Sequence, residues 1–330
     1  NEQTTGTKPR FFAPTAVKKV FSRRGIFNKQ KRILCFANNK GGVGKNRRGA
    51  KMKIAVIGAG KMGVWFAKFF ESKGYNVILA DRKKGKLEAQ KNLLVDLTTN
   101  FEEAVQDADQ IFLCVSINAM EEVSKAISPA VHEGQVVMDI CSIKEAPVKT
   151  MHKYLKGATI LGTHPVFGPG SNGVKHKAYV LTPTNAKEQE FAEQFKHWLE
   201  KEEAHVFIMT PKKHDELMSV VLGLPHFIGL VACETLLEQA NLSETKKVAG
   251  TTYRMLFTLA EATALETPDL YASVQTNLAN LGEVEDLFMA KAQELLTLIK
   301  NKDQKAIVER MEQLKKKLYA ADCDFADSYD

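Results

Sequence analysis

Apolar runs of five or six residues recur along the chain from residue 53 to residue 209. They are KIAVIG (53–58), NVILAD (76–81), QIFLCV (110–115), QVVMDI (135–140), ATILGT (158–163), KAYVLT (177–182) and AHVFIM (204–209). A strand with one wet face alternates apolar and polar residues, whereas a run that is apolar throughout fits a strand covered on both faces. Between most of these runs the apolar positions shift to helical spacing. Residues 61–73, for instance, carry Trp65, Phe66, Phe69 and Phe70 along one side. This alternation predicts an α/β fold, with a Rossmann-type, mostly parallel sheet over residues 52–210.

After residue 209 the strand runs stop. Residues 211–318 read as an all-helical domain. KHDELMSVVLGLPHFIGLVACETLLEQA forms one long apolar helix with an expected kink at Pro225. SETKKVAGTTYRMLFTLAEATALE forms a second helix, and residues 284–318 a last one. The longest apolar stretch, 220–233, is broken by Pro225 and His226, so it reads as a buried helix and not as a membrane span. A helical domain this apolar calls for a partner surface, and the expectation is a homodimer formed through it. The tail, 319–330, is acidic and expected to fray.

Charge separates the head from the body. Residues 1–51 hold eight Lys and six Arg against one acid, a net +13, which leaves −6 for the rest out of a total of +7. The mildly acidic body excludes a nucleic-acid-binding fold as the simple reading of a basic chain, and no specific nucleic-acid partner is expected. The head sustains no hydrophobic period and reads as a flexible extension or leader, with a basic, acid-poor targeting peptide as the alternative. Five cysteines, an odd number without a C-x-x-C pair, and eight histidines without H-E-x-x-H give neither a disulfide framework nor a metal site. The cysteine usage fits a reducing compartment, and the expected location is cytoplasmic.

Two glycine-rich loops lie within about two dozen residues of each other. KRILCFANNKGGVGK (31–45) resembles a truncated P-loop of the ParA/MinD ATPases, with Lys40 at their extra lysine position. Asn46 stands where a Ser or Thr hydroxyl would hold Mg²⁺, and NRRGAK replaces the helix whose N-terminus would face phosphates. The second loop, Gly58-Ala59-Gly60-Lys61-Met62-Gly63, follows a strand and opens a helix. Gly58 permits the tight turn, Gly60 admits a pyrophosphate to the backbone, and Gly63 lets helix and strand close up. Asp81 ends the second strand, where a carboxylate can accept both ribose hydroxyls. It favours NAD, although Arg82, Lys83 and Lys84 offer cations to a 2′-phosphate and leave NADP open. Ser116, just beyond the strand at 110–115, completes the expected cofactor contacts.

Three further stretches carry polar chemistry. DICSIKEAP offers Ser142 and Lys144 at a strand end, GTHPVFGPG offers His164, and KHDELMSVVLGLPH offers His214, Asp215 and His226. Taken with GAGKMG, the stretches SIK, THPVFGP, KHD with LPH twelve residues on, and TYR followed by PDLYASVQ give the body, from residue 52 to about 318, its resemblance. It resembles the prephenate dehydrogenases, and more broadly the prephenate/arogenate dehydrogenases of tyrosine biosynthesis. The resemblance implies a dinucleotide-binding domain followed by a helical dimerisation domain like the C-terminal part of 6-phosphogluconate dehydrogenase. The implied reaction is oxidative decarboxylation of prephenate to 4-hydroxyphenylpyruvate, with hydride passing to NAD(P)⁺. It also implies His164 as the base, with Ser142 positioning the hydroxyl or nicotinamide and Lys144 beside the substrate. His226 would orient the substrate or bind its side-chain carboxylate, and Asp215 would orient local charges. His214 reads as a packing residue.

One position departs from the family pattern. Where those enzymes carry a carboxylate-binding arginine, this chain has Ala262, preceded by Glu261. Arg254 is the substitute cation, or else the substrate is arogenate, whose amine would suit Glu261. Two other readings stay open. One is a 3-hydroxyacid or 6-phosphogluconate-type dehydrogenase, which uses a helical-domain lysine in place of a THP histidine. The other is a nucleotide-sensing or polyanion-binding protein acting through the basic head.

Overall fold

The computed structural model describes residues 51–239 and 241–321, so the readings of the P-loop-like stretch, of the basic head and of the end of the tail lie outside it. The chain runs β1 (Lys53–Ile57), α1 (Lys61–Ser72), β2 (Asn76–Ala80), α2 (Lys84–Glu88), β3 (Asp96–Thr98), α3 (Phe101–Gln106) and β4 (Gln110–Leu113). It continues through α4 (Met120–Ile127), β5 (Val136–Asp139), α5 (Glu145–Tyr154), β6 (Thr159–Pro165), β7 (Ala178–Thr182), α6 (Ala186–Lys201) and β8 (His205–Ile208). Helices α7 (Pro211–Met218), α8 (Leu224–Gln239), α9 (Leu242–Lys247), α10 (Thr251–Ala264), α11 (Pro268–Asn277), α12 (Leu281–Lys300) and α13 (Gln304–Ala320) follow.

The strands form one sheet in the order β3-β2-β1-β4-β5-β6-β7-β8. All neighbours are parallel except β6 and β7, so β7 and β8 run against the other six. Successive residues of a strand face opposite sides, and each side has its own core. Ile54 and Val56 pack with Phe66 and Phe70 of α1 and with Phe195 of α6. Ala55 and Ile57 pack on the other face with Val105 of α3, Val123 of α4 and Met151 of α5. This double coverage is why the strands read as unbroken apolar runs. β3 did not show in the pattern, because DLT is three residues long and only half-buried.

The helical half differs from its sequence reading in three places. The segment expected to be one helix over 243–266 is two, because α9 ends at Lys247 and Gly250 caps α10. The expected helix at 284–318 is broken by a turn at residues 301–303. There Lys302 takes φ 55° and Asp303 caps α13 by accepting the Ala306 amide. The apolar segment after Pro211 is continuous to Gln239 and, by length and composition, is long and apolar enough to cross a membrane. It is not a buried helix: within α8 Gly229 alone is fully buried. A third core joins the two halves, with Ile143 from the SIK loop packed on Met218, Val274, Leu278 and Leu281.

Candidate active site

β1 has β2 on one side and β4 on the other, so consecutive connections diverge there and open a crevice at the strand ends. The loop at that crevice has the tolerances a dinucleotide needs. Gly58 sits at φ 108°, and a Cβ on it would lie 2.4 Å from the Cys114 carbonyl oxygen. A Cβ on Gly63 would lie 1.8 Å from the Gly58 oxygen, so helix and turn are in contact there. At Gly60 a Cβ would meet nothing within 4 Å, which leaves room on the outer side of the turn. Gly60 also caps α1 without a side-chain bond, so the amides of Lys61, Met62 and Gly63 have no side chain competing with a phosphate.

Asp81 closes this loop from β2. Its carboxylate accepts from the Ala59 amide at 2.9 Å and the Lys83 amide at 2.8 Å, with Lys86 Nζ at 3.3 Å. Burial pushes its pKa up, but the two amides and the lysine more than offset this and hold it below the usual carboxylate value. Arg82 does not stand free for a 2′-phosphate. Its guanidinium grips both carboxylate oxygens of Glu122 on α4. Ser116 is exposed and leads into a short 3₁₀ turn, Ile117–Ala119, on the β4 side of the crevice.

The second cluster lies at the ends of β5 and β6, where His164 is the last residue but one of β6. His164 Nδ1 is 2.8 Å from His214 Nε2, and His214 Nδ1 is 2.7 Å from Asp215 Oδ1. Asp215 is held by the opening amides of α5, from Lys144 at 2.7 Å and Glu145 at 2.9 Å. An anion at a helix start is favoured both by these bonds and by the helix dipole. The carboxylate fixes the tautomers in turn. Asp215 can only accept, so His214 Nδ1 carries hydrogen and its Nε2 accepts. His164 Nδ1 then donates, and Nε2 is left as the lone-pair nitrogen of His164. Burial pushes His164 well below its usual pKa, and the proximity of His214 and Lys144 adds to the effect. Burial also lowers His214, against the opposing pull of Asp215.

Lys144 is not where the resemblance implied. Its side chain is fully buried in an ion pair with Asp139, and Nζ also donates to the Thr163 carbonyl at 2.6 Å. The ammonium therefore ties the end of β5 to the residue before His164 and does not face open space. Ser142, two residues earlier, is half-buried with no hydrogen bond among the described residues.

On the helical side the His226 ring stacks on Tyr271 at 4.0 Å between centroids. Its Nδ1 is buried without a hydrogen-bond partner among the described residues, and burial lowers its pKa to about 4. Tyr271 in turn donates to the Ala262 carbonyl at 3.3 Å. Arg254 is not brought to this place. It is exposed, and eight residues along α10 separate it from Ala262, about 12 Å of helix. Glu261 faces Lys246 at 3.5 Å. The structure thus assembles Asp81 with the glycine loop and His164 with Asp215. It adds His214, Asp139 and Tyr271, to which the sequence reading gave no chemical part. The adjacency of His214 to Asp215 within KHD was the one available signal. Among the described residues no group of acidic, histidine or cysteine side chains forms a metal site.

Comparison with known proteins bears on the family and the fold. The family model for the nucleotide-binding domain of prephenate dehydrogenase matches residues 66–208, and that for its dimerization domain matches residues 210–313. The chain is 34% identical over 275 residues to a probable arogenate/prephenate dehydrogenase of Methanocaldococcus jannaschii, covering 82% of this chain and 61% of that protein. It therefore spans about three fifths of that relative's length. The crystal structure of Aquifex aeolicus prephenate dehydrogenase with hydroxyphenyl propionate and NAD⁺ superposes with TM-score 0.68 at 21% identity, over 82% of this chain and 99% of that one. Synechocystis arogenate dehydrogenase gives TM-score 0.63 at 22% identity, over 82% and 100%. At such identities the two structures establish a shared fold. With both domain models covering most of the body in consecutive order, the chain belongs to the prephenate dehydrogenase family.

Proposed function

We propose that the chain is an NAD-dependent prephenate dehydrogenase that acts as a soluble homodimer, the helical domain meeting its copy. The observation that carries this reading is the Asp215–His214–His164 relay, which leaves His164 Nε2 neutral and able to accept a proton. When bound, NAD supplies the acceptor for the hydride leaving C4 of the substrate. His164 takes the C4 hydroxyl proton as the hydride departs, and its Nδ1–H bond to His214 holds the ring in place through the transfer. The positive charge that develops on the ring is shared toward Asp215, whose own anionic form is held by the start of α5. Loss of the ring carboxylate as CO₂ then makes the product aromatic and needs no further residue. Ser142 lies two residues from Lys144 on the same loop and serves to position the hydroxyl or the nicotinamide. The NAD preference is supported by Asp81, which would repel a 2′-phosphate, and by the pairing of Arg82 with Glu122.

Arogenate is the second reading of the substrate. It is favoured by the neutral, unpartnered His226 and by Ala262, where a dianion would want a cation; one lost charge-assisted contact costs about 1.5–3 kcal/mol. Reduction of NAD and NADP assayed in parallel with prephenate and arogenate tests both readings. Turnover is expected with NAD, and its absence with all four combinations would sink the proposal. A His164→Asn variant that kept its rate would point instead to the 3-hydroxyacid type of dehydrogenase.

A further inference from the structure

His214 and His226 belong to one continuous helical segment, twelve residues apart. In a regular α-helix twelve residues turn the second side chain about 120° away from the first. The segment between them is not a regular helix. Met218, four residues after His214, packs on Val274 of α11 and on Leu278 just beyond it, and Leu222 packs against the same cluster. Gly223 accepts a bond at 3.0 Å from Gln275 of α11, and His226 stacks on Tyr271 of α11. From Met218 to His226 the segment therefore keeps one face on α11, while His214, four residues before Met218, faces His164 of β6. The correction lies between them. Residues Ser219–Gly223 form a π-turn, in which the Leu224 amide reaches back five residues to the Ser219 carbonyl. Such a turn accommodates one extra residue, so the twelve count as eleven and the divergence falls to about 20°.

We propose that the π-turn Ser219–Gly223, enforced by Pro225, is the phasing device that sets His226 on the same helix face as His214, and that Pro225 is thereby a positioning residue for the substrate. Pro225 has no amide to give the carbonyl four residues back, and its ring would clash with that carbonyl in a regular helix. Widening the turn by one residue relieves both problems. The surroundings accept the wider turn. Val220 and Val221 point to solvent at 53% and 55% exposure, and Gln275 takes up the Gly223 carbonyl. Gly223 leaves room for Leu281, whose Cδ1 would lie 2.5 Å from any Cβ there. The inference deepens the functional reading, because it rests on His226 as the substrate contact.

Two variants test it. Pro225→Ala removes the obstacle to a regular helix, which would swing His226 off the shared face. The expected result is a rise of at least tenfold in KM for the substrate, KM for NAD staying within twofold. Deleting Val221 in the Pro225→Ala background removes the extra residue and puts the histidines eleven apart in an uninterrupted helix. It should bring the substrate KM back to within about threefold of the parent, a rescue that a merely structural proline would not give. The NMR shift of the His226 ring, set by the Tyr271 ring beside it, is the readout that does not depend on turnover. It should move in Pro225→Ala and return in the deletion variant. An unmoved His226 resonance or an unchanged substrate KM in Pro225→Ala would overturn the proposal, as would a folded deletion variant that fails to recover. A parent enzyme without turnover, in which the resonance still moves as expected, would fault the functional reading and leave the phasing standing.

Discussion

The two halves of the molecule treat their apolar residues in opposite ways. In the sheet half Phe66 and Phe112 are at 1% and 0% exposure, and the large apolar side chains left outside are Leu94 and Phe207. In the helical half Leu287, Ile299 and Met311 stand at 60%, 54% and 64%, with similar residues spread over α8, α10, α12 and α13. A sheet with helices on both faces closes its own core within one chain. A helical array that closes only one side leaves the remaining apolar stripe for another surface. The chemistry follows the same division. The closed half holds His164 and the glycine loop, and the open half supplies His214 and Asp215, which hold the His164 ring.

The largest effect should come from breaking that division at His164. His164→Asn removes the proton acceptor and should lower kcat by about 10²–10⁴-fold, the usual worth of a general base. Thermal stability and NAD binding should hold. Asp215→Asn leaves the base in place but removes the anion that fixes the His214 tautomer, and its NH₂ must face either the Lys144 or the Glu145 amide that the carboxylate accepts from. Because the carboxylate is one imidazole removed from the base, the expected loss is about 10²-fold, below the 10⁴ seen when the carboxylate touches the base directly. Steady-state rates for the pair check it. Equal, small losses would mean that the relay does not set the tautomer.

Stability should separate the halves next. Phe112→Ala cuts into the closed core and should cost about 3–5 kcal/mol, independent of protein concentration. Ile299→Glu places a charge on the open face. It should leave the sheet half folded while shifting the mass in solution from dimer to monomer at micromolar concentration. Analytical ultracentrifugation and denaturant titration read the two outcomes. A monomeric parent, or an unaffected dimer in Ile299→Glu, would break the contrast by showing that the exposed stripe is not the mating surface.

The same division decided what the sequence could tell. Doubly covered strands such as KIAVIG and QIFLCV announce themselves, because burial on both sides leaves no polar position to blur them. The glycine loop and Asp81 were legible because twenty-odd residues of strand, turn and helix suffice to build them. The helical half lacks such local constraints. The breaks at Gly250 and Lys302 depend on backbone angles that an amphipathic pattern does not encode. The burial of α8 was misjudged because an all-apolar helix looks alike whether its cover lies in this chain or in another. The relay stayed hidden because His164 and His214 are fifty residues apart and meet only when α7 docks on α5. Lys144 misled for the opposite reason. Its motif marked the site, but the pattern does not say that the ammonium turns inward to Asp139.

A smaller effect concerns pH. A base works only while unprotonated, so activity must fall as pH drops through the pKa of His164 and be complete above it. Burial and its neighbours hold that pKa well below 6.5, so the acid limb should lie clearly below 6.5. Between pH 8 and pH 6.5, kcat/KM should change by less than about twofold. An acid limb centred near 6.5 would place the catalytic imidazole in water and so contradict the closed character of the half that carries it.

The smallest expected effect is a gain. Gln110 opens β4 at the centre of the sheet, is fully buried, and has no partner among the described residues for either atom of its side-chain amide. Its backbone still pairs with both neighbouring strands, so the unmet cost lies in the side chain alone. Burying an amide without a partner costs about 1–3 kcal/mol, and a thioether of similar length removes that cost while filling the same space. Gln110→Met should therefore raise the unfolding free energy by about 1 kcal/mol, read as a higher denaturant midpoint at unchanged slope. A destabilised Gln110→Met would mean that the amide has a buried water for a partner, and that the closed half is less dry than its side chains suggest.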